Sequence, residues 1–410
     1  MKTELAQFIK DTPQGQEANR ILRACVHCGF CNATCPTYQL LGDELDGPRG
    51  RIYLMKEMLE GRAVSAKTQL HLDRCLTCRA CETTCPSGVE YGRLVDIGRN
   101  IVEQRVGRSP GEALKRKALR AVLPNLALFT ALLKLGQLAR PLLPAALKRK
   151  VPKAARATPW PPARHVRRML VLQGCVQPGI APTINPALAR VLDRIGISLI
   201  AAPKAGCCGA VAYHLNAQDE GLEAMRRNID AWWPYVEQGV EAIAMTASGC
   251  GVMVKEYGHL LAHDARYAQK AQRISDLTRD ASEILRAESA ALSARRAHHA
   301  SRTTRVAFHS PCTLQHGMQL RGVVEPLLAV AGYSLTPVPE AHLCCGSAGT
   351  YSILHSELSQ KLLANKVAAL QSGKPEVIAT ANIGCLAHIQ TGTALAVRHW
   401  VELIDEAMGS

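Results

Sequence analysis

The sequence predicts a multidomain α+β protein: a helical, cysteine-rich N-terminal domain, then two copies of one α/β domain. Three observations predict it. Two cysteine runs share one spacing, Cys25-x2-Cys28-x2-Cys31-x3-Cys35-Pro36 and Cys75-x2-Cys78-x2-Cys81-x3-Cys85-Pro86. Further on, cysteine landmarks recur in step. Cys175 and Cys312 stand 137 residues apart, Cys207-Cys208-Gly209 and Cys344-Cys345-Gly346 also 137, and Cys250 and Cys385 stand 135 apart, the mark of an internal repeat. Each copy also alternates short β-branched runs with helical patterns, as parallel-sheet domains do.

Residues 1–103 hold the first eight cysteines. Their spacing is that of bacterial [4Fe–4S] runs. Three thiolates at two-residue gaps wrap one face of a cluster, and the fourth leaves with the chain, which Pro36 or Pro86 then turns away. A fourth cysteine carried off in this way can serve the other cluster. The expected sets are therefore Cys25, Cys28, Cys31 and Cys85 for one cluster, and Cys35, Cys75, Cys78 and Cys81 for the other. Structural zinc sites use well-separated cysteine pairs rather than four cysteines in eleven residues, and neither run continues into the Cys-x-x-Cys-His of haem attachment. The spacer 37–74 is longer and more helical than a compact β-type ferredoxin needs. Asp46-Gly47-Pro48-Arg49 reads as a helix start ahead of an apolar face of Ile52, Met55 and Leu59, so a helical two-cluster ferredoxin domain is expected. Arg49, Arg51, Arg74 and Arg79 read either as offsets to cluster charge or as surface arginines.

Residues 104–168 are basic, with sixteen Lys and Arg against Glu112 alone between Arg105 and Arg168; the whole chain carries +15. The apolar stretch 121–147 is broken by Pro124, Asn125, Lys134, Arg140, Pro141 and Pro144, too often for a spanning helix. A basic, broken, amphipathic segment suits an anionic membrane surface or an acidic partner, or else packs on its own domain. Nucleic acid is not expected, since Phe129 and Trp160 are the only aromatics there. The Pro-rich linker 158–163 ends the segment.

The first Cys-Cys-Gly domain spans 169–280 and the second 305–410, with a polar connector, 281–304, between them. Strands are expected at 169–173, 197–201 and 242–247, then at 306–309 and 377–381, with helices at 186–195 and 217–238. Cysteines then fall at the carboxyl ends of strands, where open parallel sheets place their sites. Each copy offers four thiols: Cys175, Cys207, Cys208 and Cys250, then Cys312, Cys344, Cys345 and Cys385. These form a further metal or redox site, a thiol–disulfide centre, or an inert apolar set. His309, His316 and His388 lie near the second set and read first as hydrogen-bonded structural residues, with ligation or proton transfer as the alternative. Trp232-Trp233 reads as core, and His298-His299 as solvated.

Sixteen cysteines in a chain whose first ten residues lack an apolar signal core suit a reducing cytosol. No G-x-G-x-x-G follows a strand and no P-loop is present. An alcohol oxidation moves two electrons onto a flavin or nicotinamide, whereas clusters pass them singly. A flavin would therefore sit on a partner.

Ile21 to Cys31, Gly42 to Ile52, Asp73 to Cys78, Ala205 to Ala210, His342 to Thr350 and Thr380 to Cys385 together resemble the iron–sulfur subunits of bacterial glycolate oxidase (glycolate dehydrogenase), over nearly the whole chain. That resemblance implies two [4Fe–4S] clusters on the eight N-terminal cysteines, flavin-type partner subunits converting glycolate to glyoxylate, and electrons leaving toward a quinone pool or another acceptor. It also implies a cytoplasmic, peripheral place on the inner face of the membrane. Related Cys-Cys-Gly carriers serve glycerol-3-phosphate or lactate, which stay open as alternatives. In heterodisulfide reductase each repeat ends Cys-x-x-Cys. Here the ends are Cys250-Gly-Val-Met253 and Cys385-Leu-Ala-His388, a departure that leaves that enzyme's special clusters without support from the resemblance.

Overall fold

A computed structural model describes residues 1–294 and 304–409; His298 and His299 lie outside them. The N-terminal domain is helical because its spacer supplies helix starts and apolar faces. Thr12 caps α1 (Pro13–Ala24) by accepting the Gly15 N–H, and Pro48 opens α2 (Pro48–Leu59), which buries Ile52, Met55, Met58 and Leu59. These pack on α3 (Tyr91–Val106). Gly98 permits the close crossing, since a Cβ there would sit 2.5 Å from Met55 Sδ. Each such large apolar side chain, fully buried, contributes about 1.5–3 kcal/mol.

Arg51 and Arg74 are not surface arginines. The Asp46 carboxylate, 1% exposed, takes Arg51 at 3.4 Å, Arg74 at 2.8 Å and His71 Nδ1 at 3.1 Å. Arg51 also donates to the His71 carbonyl at 2.7 Å and to Thr37 Oγ1 at 3.1 Å.

The basic segment forms α4 (Pro110–Val122), capped by Ser109, and α5 (Leu126–Ala139), capped by Asn125. Arg108 and Arg116 anchor it by pairing with Asp73 and Glu112. Arg120 meets Glu220, and Arg167 meets Glu241 and Glu288, so part of the charge is neutralised within the fold. α5 buries no residue completely. It leans on the chain through Phe129 and Leu133, which face Gly179, and turns Leu128, Leu132, Leu135 and Leu138 outward. Among the described residues no single helix is long and apolar enough to cross a membrane; the pair Pro110–Val122 and Leu126–Leu142 passes by length and composition but is bent by 104°.

The first repeat is a parallel sheet of β1 (Arg167–Val171), β2 (Ile197–Ala201), β3 (Ile243–Met245) and β4 (Thr278–Asp280), in the order β2-β1-β3-β4. The second has the same order, β6-β5-β7-β8, from β5 (Arg305–His309), β6 (Ser334–Thr336), β7 (Val377–Thr380) and β8 (Ala396–His399). The strand order reverses beside β1 and β5, and the crevice outside such a reversal is where these sheets hold ligands. Helices α6 (Ile184–Arg194) and α7 (Gln218–Glu237) belong to the first repeat. In α7 Trp232 is core, but Trp233 reaches the surface, donating to Glu237 at 2.7 Å.

The stretch read as a polar connector begins as helix α8 (Ala281–Ala287). Asp280 caps it in a capping box with Glu283, and Ala281, Ile284 and Leu285 enter the core shared by both repeats. The second repeat adds α9 (Ser356–Gln371), α10 (Ile383–Gly392) and α11 (Trp400–Ala407). Asp405 of α11 binds Arg190 and Arg194 of α6, while His399 Nε2 donates to the Thr246 carbonyl at 2.7 Å. The repeats are thereby fastened together.

Candidate metal centres

The two N-terminal loops share one conformation. His27 and Gly29 in the first, Thr77 and Arg79 in the second, all take positive φ (61°, 88°, 51° and 60°). For the non-glycine residues this is strained by about 1–3 kcal/mol each, and it curls the three leading thiols of each run inward. The short helices Phe30–Ala33 and Ala80–Thr84 then carry the fourth cysteine across to the other loop.

As a result Cys25, Cys28, Cys31 and Cys85 line one hollow, walled by Ile52, Val89 and Tyr91. A second hollow gathers Cys35, Cys75, Cys78 and Cys81 against Thr37 and Arg51. Cys81 borders both. Burial, and then the neighbouring Cys25 thiolate, push Cys31 up to about 11. Burial likewise raises Cys78 and Cys81 well above the usual thiol range. Four soft donors crowded in an apolar hollow resist ionising alone and suit a polycationic core that deprotonates them outright. The residues present thus fit two [4Fe–4S] clusters.

In the repeats the thiols form chains. Cys207 lies between Cys175 and Cys208, and Cys250 adjoins Cys208. In the second copy Cys312 Sγ stands 3.9 Å from Cys344 Sγ, Cys344 adjoins Cys345, and Cys345 adjoins Cys385. Hydrogen bonds from the Cys175 and Cys208 thiols, with the Gly209 N–H and Arg227, pull Cys207 down. Gly209 and Gly346 are required: both take positive φ, and a Cβ would strike the Gly221 carbonyl oxygen at 2.7 Å and that of Ser359 at 2.6 Å.

Three thiol sets border one cavity of about 1480 Å³, lined among others by Cys78, Cys175, Cys207, Cys250, Cys312 and Cys344. Cys78 and Cys312 pack against one cluster with Leu76 and Cys344, so the second N-terminal hollow abuts the second repeat. Polar clamps hold that junction. The His342 carbonyl can only accept, so His316 Nε2 carries the proton at 2.9 Å, and its Nδ1 accepts from Thr83. On the other side Arg79 and Arg93 both reach Glu256, at 3.0 and 3.2 Å, while Arg49 pairs with Glu44. His388 Nε2 meets Ser359 Oγ at 3.2 Å.

Sequence reading missed Glu256, Asp46 and Lys366. Lys366 is 3% exposed in α9 and donates to the Glu340 carbonyl at 2.7 Å. Burial lowers its pKa, opposed by the Cys344, Cys345 and Cys312 thiols. A lone lysine in a helical pattern gives no signal of this.

The family descriptions "4Fe-4S dicluster domain" and "Cysteine-rich domain" match residues 21–89 and residues 169–255 and 306–390, respectively. The chain is 56% identical over 409 residues to the glycolate oxidase iron-sulfur subunit of Escherichia coli (strain K12), covering 100% of this chain and 99% of that one. It is 30% identical over 449 residues to the probable glycolate oxidase iron-sulfur subunit of Bacillus subtilis (strain 168), covering 99% and 98%. Lactate utilization protein A of Bacillus licheniformis is 28% identical over 244 residues, 56% of this chain and 96% of that protein.

Proposed function

The chain belongs to the family of glycolate oxidase iron–sulfur subunits, and we propose that it carries electrons from a flavin-bearing partner subunit, which oxidises glycolate to glyoxylate, toward the quinone pool. The observation that carries this is the pair of adjoining hollows, each lined by the three leading thiols of one loop and the fourth cysteine of the other, with Cys81 bordering both. When bound, [4Fe–4S] clusters there supply the one-electron steps into which a two-electron oxidation must be divided. Cys25, Cys28, Cys31 and Cys85 would hold one, and Cys35, Cys75, Cys78 and Cys81 the other. Cys35 and Cys85, each serving the opposite loop, tie the loops together. The Arg51–Asp46 network fixes the Cys35 side, where Thr37 Oγ1 lies 3.3 Å from Cys35 Sγ. The clamp at His316 keeps Cys78 against the second repeat's thiols, and the clamp at Glu256 holds the N-terminal domain to the first repeat.

The absence of a dinucleotide fingerprint supports a flavin on the partner. Anaerobically purified protein should contain about eight iron per chain if only the N-terminal sets are filled, and should give a paramagnetic signal on reduction with dithionite. Zinc in place of iron would overturn the reading.

The same reading places the chain in the cytoplasm, peripheral on the inner face of the membrane, with α5 lying on an anionic bilayer. The outward Leu128, Leu132, Leu135 and Leu138 provide the apolar face. Lys134, Lys148, Arg149, Lys150, Lys153 and Arg156, none with a carboxylate partner among the described residues, provide the matching charge. Cosedimentation with phosphatidylglycerol vesicles should fall with added salt and be lost in L135E/L138E. Equal binding to neutral vesicles, or none to either, would contradict it.

A further inference from the structure

The repeats share four thiols but not their surroundings. At the 137-residue offset, His309 corresponds to Leu172 and Lys366 to Ile229. His309 closes β5 and is buried. One ring nitrogen of His309, Cys345 Sγ and Cys385 Sγ all lie within 4.8 Å of one another. Three rigid elements deliver these atoms: the end of β5, the Cys-Cys-Gly turn after β6, and the first turn of α10. Thr380, opposite His309 in the β5–β7 register, meets its Nδ1 at 2.9 Å and holds the ring in place. The other two histidines nearby are committed elsewhere, His316 to Thr83 and the His342 carbonyl, His388 to Ser359.

We propose that the second repeat binds iron through His309 together with Cys345 and Cys385, so that the two repeats carry chemically different centres. With Cys312 and Cys344 adjoining, the site offers five soft or borderline donors, one more than a tetrahedral zinc ion takes, and thiolate with imidazole is a donor set that iron accepts. Each thiol loses its proton on binding, whereas the imidazole binds neutral. With His309 filling one of four ligand positions and one of the four thiols left unligated, the centre carries one negative charge fewer than a four-thiolate centre in the first repeat, which raises its potential. The buried Lys366 ammonium adds in the same sense. The second repeat, which abuts Cys78, would then be the easier of the two to reduce, giving electrons leaving the N-terminal domain a preferred direction.

The inference rests on the chain being an iron carrier, and its test separates the two. The full-length chain, labelled with 15N-histidine and purified anaerobically, is studied by pulsed EPR in its oxidised and reduced states. Directly coordinated imidazole nitrogen should appear in the wild type. It should vanish in H309L, which installs the first repeat's residue, while persisting in C207S and leaving the N-terminal signals unchanged. A labelled wild type without that coupling overturns the proposal even if H309L does not fold, and so does a coupling that survives in H309L. Loss of all paramagnetic iron signals would instead refute the iron–sulfur reading itself.

Discussion

Replacing Arg51 with methionine should destabilise the N-terminal domain by about 3 kcal/mol. The guanidinium and the Asp46 carboxylate it meets are each only 1% exposed. Methionine would fill much of the volume but leave the His71 carbonyl without the Arg51 donor and Asp46 with one cation fewer. Stranding one partner of a buried ion pair costs about 3–5 kcal/mol. The low end applies because Arg74 still holds Asp46 at 2.8 Å. R51M/D46N, which removes both charges, should recover part of the loss, as a double-mutant cycle would register. Thr37 and the Asp46 carbonyl flank Cys35 Sγ at 3.3 and 3.8 Å, so urea unfolding followed under argon by cluster absorbance should report the loosening directly. A change of less than about 1 kcal/mol in R51M would refute the buried-network reasoning.

G346A should cost the second repeat its metal, because a Cβ there meets the Ser359 carbonyl oxygen at 2.6 Å; metal analysis should show the N-terminal iron retained, and full metal content would contradict the steric account. Burial holds His399 near 4, against an ordinary 6.5, so the unfolded chain binds more protons between those values. The stability that His399 contributes is therefore complete above pH 6.5 and drains as pH falls toward 4, by roughly 3 kcal/mol in all; unfolding measured from pH 7 to 5 should be less steep in H399Q. R79A should loosen the N-terminal domain from the first repeat, and combining it with E256A should add less than the sum of the two effects, as read from limited proteolysis between the domains.

The cluster runs were legible because ligand reach is local: four cysteines within eleven residues constrain their loop whatever surrounds it. The repeat was legible because its cysteines keep their offset, and the helix at Pro48 because Gly-Pro and an apolar stripe agree. What escaped the sequence depends on distant partners. Thr278–Asp280 is three residues long and polar, and becomes a strand only beside Ile243–Met245. Ala281–Ala287 looks like the start of a linker until its Ala281, Ile284 and Leu285 are seen in a core built from both repeats. The charge of the basic segment was visible, but not that Asp73, Glu112 and Glu220 consume part of it. Nor could spacing show that His309 stands beside Cys345 and Cys385, since the sheet order that joins them skips from β5 to β7.

The crossed arrangement of the N-terminal thiols is tested most directly by C85S. Reduced EPR spectra of C28S and C78S would first define which signal belongs to each hollow. The account predicts that C85S reproduces the spectrum of C28S, losing the centre of the opposite loop. A C85S spectrum matching that of C78S would contradict it.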